Sequence, residues 1–128
     1  MGVIVTARDT LAGSTVTFRS RVLINAGGPW VDQVRKAGGI DRKNIIYPTK
    51  GIHLIVPKLS EQSLFVASKD GRMFFIIPMD RWSLIGTTDT KYDGDLDEVH
   101  AGPGDVDYLL NESRRVLPGL NLTKGSIL

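Results

Sequence analysis

Residues 72–86 read RMFFIIPMDRWSLIG, and they carry the clearest signal of secondary structure in the chain. Two apolar runs, one ended by Pro78 and the other by Gly86, flank the short turn at residues 79–81. Apolar runs joined by a tight turn predict a β-hairpin with at least one buried face. The hairpin therefore places antiparallel β-structure at the centre of this chain.

Outward from the hairpin, the same kind of pattern extends in both directions. Ile52–Val56 and Leu64–Ala67 predict two further strands, so residues 45–86 are predicted to form an antiparallel β-meander. An acidic, glycine-rich loop follows over residues 87–104. Beyond it, apolar residues at helical spacing predict an amphipathic helix that Pro118 and Gly119 end.

The first forty residues have a different character. Alternation over residues 15–19 predicts a half-buried strand, and the continuously apolar Val22–Ile24 predicts that this strand ends between two covering layers. The glycines at positions 27 and 28 and Pro29 then predict a tight turn into a short helix that Gly38 ends. The strand–turn–helix unit over residues 15–38 is typical of α/β structure, so the whole chain is predicted to be α+β, with a boundary near residue 40.

Composition excludes several classes of protein. The 128 residues carry a net charge of +2, too small to indicate a nucleic-acid surface. Cysteine is absent, which removes disulfides, thiolate metal sites and thiol nucleophiles. The loop from Asp89 to His100 begins like a calcium-binding loop, but Lys91 and His100 occupy positions that require oxygen ligands. No metal site is predicted.

Three segments are candidates for a site, each with a structural alternative. His53 lies inside an apolar strand and is either a hydrogen-bonded structural residue or a proton acceptor, with Lys50 three positions before it. Thr87, Thr88 and Asp89 either end a strand or line a ligand cleft. Residues 25–30 either form a plain α/β connection or present free N–H groups and the flat face of Trp30 to a ligand.

Five motifs in this order resemble one family. They are LINAGGPWVD at 23–32, KGIHLIVP at 50–57, FFIIP at 74–78, IGTTDT at 85–90, and the Asp93–Asp95 and Asp105–Leu110 segments taken together. They are similar to the corresponding segments of FAD-dependent glycerol-3-phosphate dehydrogenases and the related α-glycerophosphate oxidases. The resemblance covers residues 15–118. It implies a flavoenzyme that oxidises sn-glycerol 3-phosphate to dihydroxyacetone phosphate by hydride transfer to FAD, with quinone or oxygen as the final acceptor.

The resemblance also implies roles for individual residues. Residues 1–40 would be the C-terminal part of an FAD-binding segment, and 41–128 part of the substrate-binding domain. His53 would be the general base, and the predicted substrate-side residues are Lys50, His53, Arg72, Thr87, Thr88 and Asp89. The residues predicted to border FAD are Ala26, Gly27, Gly28, Pro29 and Trp30.

The chain also departs from the family pattern. It has Gly27 where a second alanine is usual and Met79 where an aromatic residue is usual. It has neither a GxGxxG phosphate fingerprint nor the family's arginine segment that clamps the substrate phosphate. We therefore expect an internal piece of a longer enzyme, inactive and unable to retain FAD by itself, which associates with a second copy through exposed apolar surface around Val3 and residues 22–24.

Two alternatives remain open from the sequence. One is another FAD-dependent amine or hydroxy-acid oxidase, and the other is a free-standing ligand-binding or interaction module. The resemblance implies a cytoplasmic location, and it leaves attachment of the longer enzyme to a membrane surface open.

Overall fold

A computed structural model describes residues 2–128, which divide into two compact units. The first ends at Ile46 and the second is Tyr47–Leu128. Met1, with which the predicted first domain begins, lies outside the described residues. The assignment of the two units to an FAD-binding and a substrate-binding domain stays a prediction.

The first unit opens with an antiparallel hairpin of β1 (Val3–Arg8) and β2 (Thr15–Ser20). Its turn is closed by the Asp9 carboxylate, which accepts hydrogen bonds from the backbone N–H groups of Leu11 at 2.9 Å and Ala12 at 3.0 Å. An aspartate that bonds to the backbone just beyond it is a common means of closing a turn. The turn therefore fixes the register of the two strands.

The predicted continuation of β2 into a buried strand over Val22–Ile24 is wrong. These residues are irregular, and Val22, Leu23 and Ile24 are 72%, 50% and 83% exposed. A strand that is apolar on both faces needs neighbouring strands and covering layers. Among residues 2–46 there are only the two hairpin strands, a single 3₁₀ turn and one short helix, so this run is not covered on both faces.

A glycine turn and a short helix complete the first unit. A single 3₁₀ turn at Gly28–Trp30 leads into α1 (Val31–Ala37), and Gly38 follows as predicted. The Asp32 carboxylate is buried; it pairs with Arg35 at 2.5 Å and accepts hydrogen bonds from the backbone N–H groups of Ile45 and Ile46. Asp32 thereby ties the helix to the end of the unit.

The second unit is built on a four-stranded antiparallel sheet. Its strands are β4 (His53–Pro57), β5 (Leu64–Ala67), β6 (Met73–Met79) and β7 (Trp82–Gly86), in the spatial order β4-β7-β6-β5. Strands β5, β6 and β7 form the predicted meander, but β4 lies beside β7 instead of β5. This is the Greek-key order, in which the first and last strands along the chain are neighbours.

A smaller ladder and one long helix accompany the sheet. Strands β3 (Thr49–Lys50) and β8 (Thr90–Lys91) pair antiparallel. The predicted amphipathic helix is α2 (Pro103–Val116), with Pro103 in its first turn and Leu117 at its C-cap. The sequence predicted that β6 ends at Pro78, but the strand continues to Met79. Strand β5 pairs with β6 only as far as Ile76, so the missing N–H of Pro78 costs no ladder bond on that side.

The core lies between one face of the sheet and α2. Alternate residues of β4, β6 and β7 point to it, as expected for a period of two, and α2 covers them with adjacent leucines. The buried apolar residues are Ile52, Leu54, Val56, Phe74, Ile76, Ile85, Leu109, Leu110 and Leu122. The opposite face of the sheet, called the outer face below, carries the side chains between them.

Candidate active site

His53 begins β4 on the outer face of the sheet. Its neighbours Ile52 and Leu54 point into the core, so alternation turns the imidazole outward, where it is exposed. Among residues 2–128 no group hydrogen-bonds to its ring. The structural alternative, a histidine that is hydrogen-bonded within the core, therefore does not describe His53, and the ring nitrogens are open to a ligand.

The outer face around His53 is apolar. Its exposed large side chains are Ile55, Phe65, Met73, Phe75 and Met79. Phe65 and Phe75 pack together with ring centroids 4.8 Å apart. A contiguous apolar surface of this kind on a sheet marks a site of interaction rather than a simple solvent face.

The Lys50 side chain is held by partners within the chain. Its ammonium forms an ion pair with Asp105 at 2.6 Å and donates to the backbone carbonyl of His100 at 3.3 Å. Asp105 also accepts a hydrogen bond from the Gly102 backbone N–H at 3.0 Å, which caps α2. Asp105 thus joins β3 to the start of the helix, a role that the sequence alone did not reveal.

Arg72 belongs to a second polar cluster. Its guanidinium pairs with Asp70 at 2.6 Å, stacks over the Tyr108 ring at 4.0 Å and donates to the Asp89 carbonyl at 3.2 Å. Tyr108 in turn donates to Asp70 at 3.1 Å. Because the cluster connects the turn before β6, the segment after β7 and helix α2, Arg72 has a clear structural function, whatever else it contacts.

The segment after β7 also holds the start of β4. The buried Thr88 hydroxyl accepts a hydrogen bond from the Ile52 backbone N–H at 3.0 Å. Thr87 is half-buried and Asp89 is exposed. Thr88, Arg72 and Asp105 line a cleft of about 360 Å³ together with Thr90 and Tyr108. The structure therefore brings Arg72 and Thr88 to one cleft, whereas Lys50 is bound to one of its walls.

The glycine turn predicted to border FAD belongs to the first unit. The Asn25 side chain closes it, accepting from the Gly27 N–H at 3.0 Å and donating to the Val31 carbonyl at 2.9 Å. Gly28 has φ +51°, and an added Cβ there would meet no atom within 4 Å. A backbone that is open and without a side chain fits close approach by a flat ligand. With seven residues, α1 is too short for its N-terminus to be an anion site on its own.

The carboxylates of the two clusters predict a dependence of stability on pH. The ion pair with Lys50 holds the pKa of Asp105 below its ordinary value, against the opposing effect of burial, and the Arg72 and Ser68 hydrogen bonds do the same for Asp70. A lowered folded-state pKa contributes stability that is complete above the ordinary carboxyl pKa of about 4 and is lost as the pH falls through the lowered value. We expect the free energy of unfolding to be flat from pH 7 to about pH 5 and to fall below about pH 4.

Asp105→Asn separates this contribution from that of other carboxylates. At pH 7 it should lower the free energy of unfolding by about 2 kcal/mol, because Lys50 loses its charged partner, and it should reduce the acid dependence. Asp107→Asn is the matched control, since the Asp107 ion pair with Lys124 is largely exposed and should contribute at most about 0.5 kcal/mol. Equal losses in the two variants, measured by urea unfolding at several pH values, would contradict the assignment.

Known proteins match nearly the whole chain. A family model described as FAD dependent oxidoreductase matches residues 2–127. A glycerol-3-phosphate dehydrogenase of Synechocystis is 41% identical over an alignment of 133 positions, gaps included, that covers 94% of this chain and 24% of that protein. An alpha-glycerophosphate oxidase of Streptococcus pyogenes is 36% identical over 125 residues, which cover 93% of this chain and 20% of that protein.

A solved structure gives the same result in three dimensions. The X-ray structure of the glycerol-3-phosphate dehydrogenase from Bacillus halodurans, complexed with FAD, matches with a TM-score of 0.85 at 35% identity. The match covers 98% of this chain and 26% of that chain, so the chain spans about a fifth to a quarter of the length of these relatives. Within residues 2–128, none of the helices combines the length and apolar character needed to cross a bilayer.

The resemblance that the motifs indicate is thus confirmed in sequence and in structure. The family model leaves out only the two terminal residues. The chain belongs to the FAD-dependent oxidoreductase family.

Proposed function

We propose that this chain contributes the substrate-side sheet and an FAD-bordering turn to an enzyme that oxidises sn-glycerol 3-phosphate to dihydroxyacetone phosphate. The observation that carries the proposal is the exposed imidazole of His53 on the apolar outer face, to which no group in the described part of the chain hydrogen-bonds. The names of the relatives, which are glycerol-3-phosphate dehydrogenases and alpha-glycerophosphate oxidases, support the choice of substrate. They favour it over an amine or hydroxy-acid substrate.

His53 is the general base of this proposal. Oxidation of the C2 alcohol removes a proton from the hydroxyl and a hydride from the carbon. Neutral imidazole accepts the hydroxyl proton, while FAD, when bound, supplies the hydride acceptor. With FAD and substrate bound, the apolar side chains around His53 would help to exclude water from the reacting carbon.

The remaining predicted residues have supporting roles. Ala26, Gly27, Gly28, Pro29 and Trp30 would border FAD, because the open backbone at Gly28 and the partly exposed Trp30 ring suit a flat aromatic group. Thr87 and Asp89 remain proposed substrate contacts. Lys50, Arg72 and Thr88 already have partners within the chain, so any contact of theirs with substrate would be in addition to a structural role.

The proposal leaves two properties to be tested, the electron acceptor of the enzyme and its location in the cell. Relatives named as oxidases and as dehydrogenases match at similar identity, so oxygen and quinone both remain acceptors to be tested. Oxygen consumption against reduction of a quinone analogue decides between them. A cytoplasmic location, attachment to a membrane surface and association of two copies of the chain stay predictions.

The cofactor prediction can be tested with two lengths of protein. We expect the purified 128-residue chain to carry no flavin absorbance and to reduce no dye with glycerol 3-phosphate. The reason is that it lacks a GxGxxG unit for the FAD pyrophosphate. Protein expressed from the full source reading frame should be yellow and active.

The two proteins also separate the possible failures. Stoichiometric flavin in the short chain would contradict the prediction that it cannot retain FAD. A full-length protein that holds flavin but does not oxidise glycerol 3-phosphate would contradict the proposed substrate. In that case a panel of amines and hydroxy acids identifies the alternative oxidase.

A further inference from the structure

Gly86 lies directly across from His53 in the sheet. The two residues are partners in the β4–β7 ladder, and on its other side Gly86 is opposite Phe75 of β6. A Cβ built on Gly86 would lie 2.5 Å from Cδ2 and 2.9 Å from Cγ of His53. The imidazole therefore occupies the space that a side chain at position 86 would fill.

This arrangement decides where the ring can point. His53, Gly86 and Phe75 form one row across β4, β7 and β6. Because Gly86 has no side chain, the imidazole lies against the backbone of β7 instead of standing away from the sheet. The next side chain along the row is Phe75, which is itself packed against Phe65. Glycine within a strand commonly marks such a close approach of another group.

We infer that Gly86 is a positioning residue: the absence of a side chain at Gly86 forms the seat in which the His53 imidazole lies, and the seat sets the direction of the ring nitrogens. The inference rests on the proposed general-base role of His53. A general base must come within hydrogen-bond distance of the proton that it removes. A displacement of about 1 Å can reduce the rate about 100-fold.

The test is a double-mutant cycle in the full-length enzyme. Gly86→Ala, His53→Ala and the double variant are compared by kcat, KM and thermal midpoint. Gly86→Ala should reduce kcat about 100-fold with a smaller change in KM, and should alter the pH dependence of kcat/KM. It should cost little further activity once His53 is alanine, because the ring that it displaces is already gone.

Thermal midpoints test the seat independently of activity. The Cβ of alanine at position 86 would also lie 2.8 Å from the Ile52 carbonyl oxygen, and this part of the cost is the same with or without the ring. Gly86→Ala should therefore lower the midpoint in both backgrounds, but by less when His53 is alanine. Gly125→Ala is the matched control, because its Cβ would make only an ordinary contact of 3.6 Å with Thr123 and should change neither readout.

The outcomes distinguish the positioning role of Gly86 from the proposed base role of His53. Equal losses of midpoint in the two backgrounds would overturn the inference, since Gly86 would then act on the sheet and not on the ring. If Gly86→Ala fails to fold, recovery of folding in the double variant supports the seat, and failure in both overturns it. Wild-type kcat in His53→Ala would overturn the proposed base, and with it the positioning role, even where the midpoints are coupled.

Discussion

Replacement of His53 by glutamine in the full-length enzyme is expected to lower kcat for glycerol 3-phosphate about 100- to 10,000-fold. Glutamine has a similar size and can donate or accept a hydrogen bond, but it cannot take up the proton of the C2 hydroxyl. Among residues 2–128 no group hydrogen-bonds to the exposed imidazole, so the variant keeps no neighbouring group that could act as the base instead. Flavin content should be unchanged, so the loss belongs to the chemical step.

The measurement is steady-state kinetics over a range of pH. The acid-side fall in activity that a general base produces should disappear from the profile of the His53 variant. The other histidine, His100, is the matched control, because its side chain lies in an exposed loop and, among residues 2–128, bonds only to the nearby Glu98 carbonyl. Comparable losses in His53→Gln and His100→Gln, or none in either, would contradict the assignment of the base.

Phe74→Ala should cost the second unit about 3–5 kcal/mol of unfolding free energy. Its ring is 1% exposed, in the centre of the core between the sheet and α2. Removal leaves a cavity whose walls are fixed by hydrogen-bonded strands and a helix, so relaxation recovers little. Urea unfolding of the 128-residue chain, followed by circular dichroism, measures the difference.

The adjacent phenylalanine supplies the control. Phe75 has the same chemistry and lies in the same strand, but it is on the outer face and 43% exposed. Phe75→Ala should cost about 1 kcal/mol, chiefly for the lost packing on Phe65. If the larger effect came from position 75, the inner and outer faces would be wrongly assigned.

Much of the second unit could be predicted because its strands and helix are locally encoded. Leu64–Ala67 and Trp82–Gly86 have the predicted bounds, and the stripe around Leu109 and Leu110 predicted α2. What could not be read locally was pairing. Strand β4 pairs with β7, the last strand of the sheet, instead of with β5, the next one. No tight turn connects β4 to β7, so the sequence carries no local signal for this pairing.

The apolar runs show the same limit. Residues 73–77 are apolar without alternation, so the sequence does not say whether Phe74 or Phe75 is buried; the leucines of α2 decide it. Val22–Ile24 has a similar composition, but no layers cover it within the first unit, and it is irregular. Whether an apolar run becomes a buried strand thus depends on what surrounds it.

The candidate site divides in the same way. His53 could be identified from the sequence because a histidine stands out within an apolar strand, and the family motifs point to it. The partners of Lys50 and Arg72 could not, because Asp105, Asp70 and Tyr108 lie on other elements and resemble ordinary surface residues. Gly86 left one signal, a glycine inside a strand, which indicates close approach without naming the group that approaches.

The Greek-key order of the sheet has a consequence for how the site comes into being. The β5–β6–β7 meander is made of hairpins whose contacts are local, and such contacts close quickly, whereas β4 can join only by closing a long loop from the opposite edge. His53 is on β4, which is expected to pair late, and Gly86 is on β7, which belongs to the meander that is expected to form first. We expect the pairing that seats the imidazole to be among the last to form during synthesis and refolding. In the full-length enzyme, the recovery of activity should then lag behind the recovery of secondary structure.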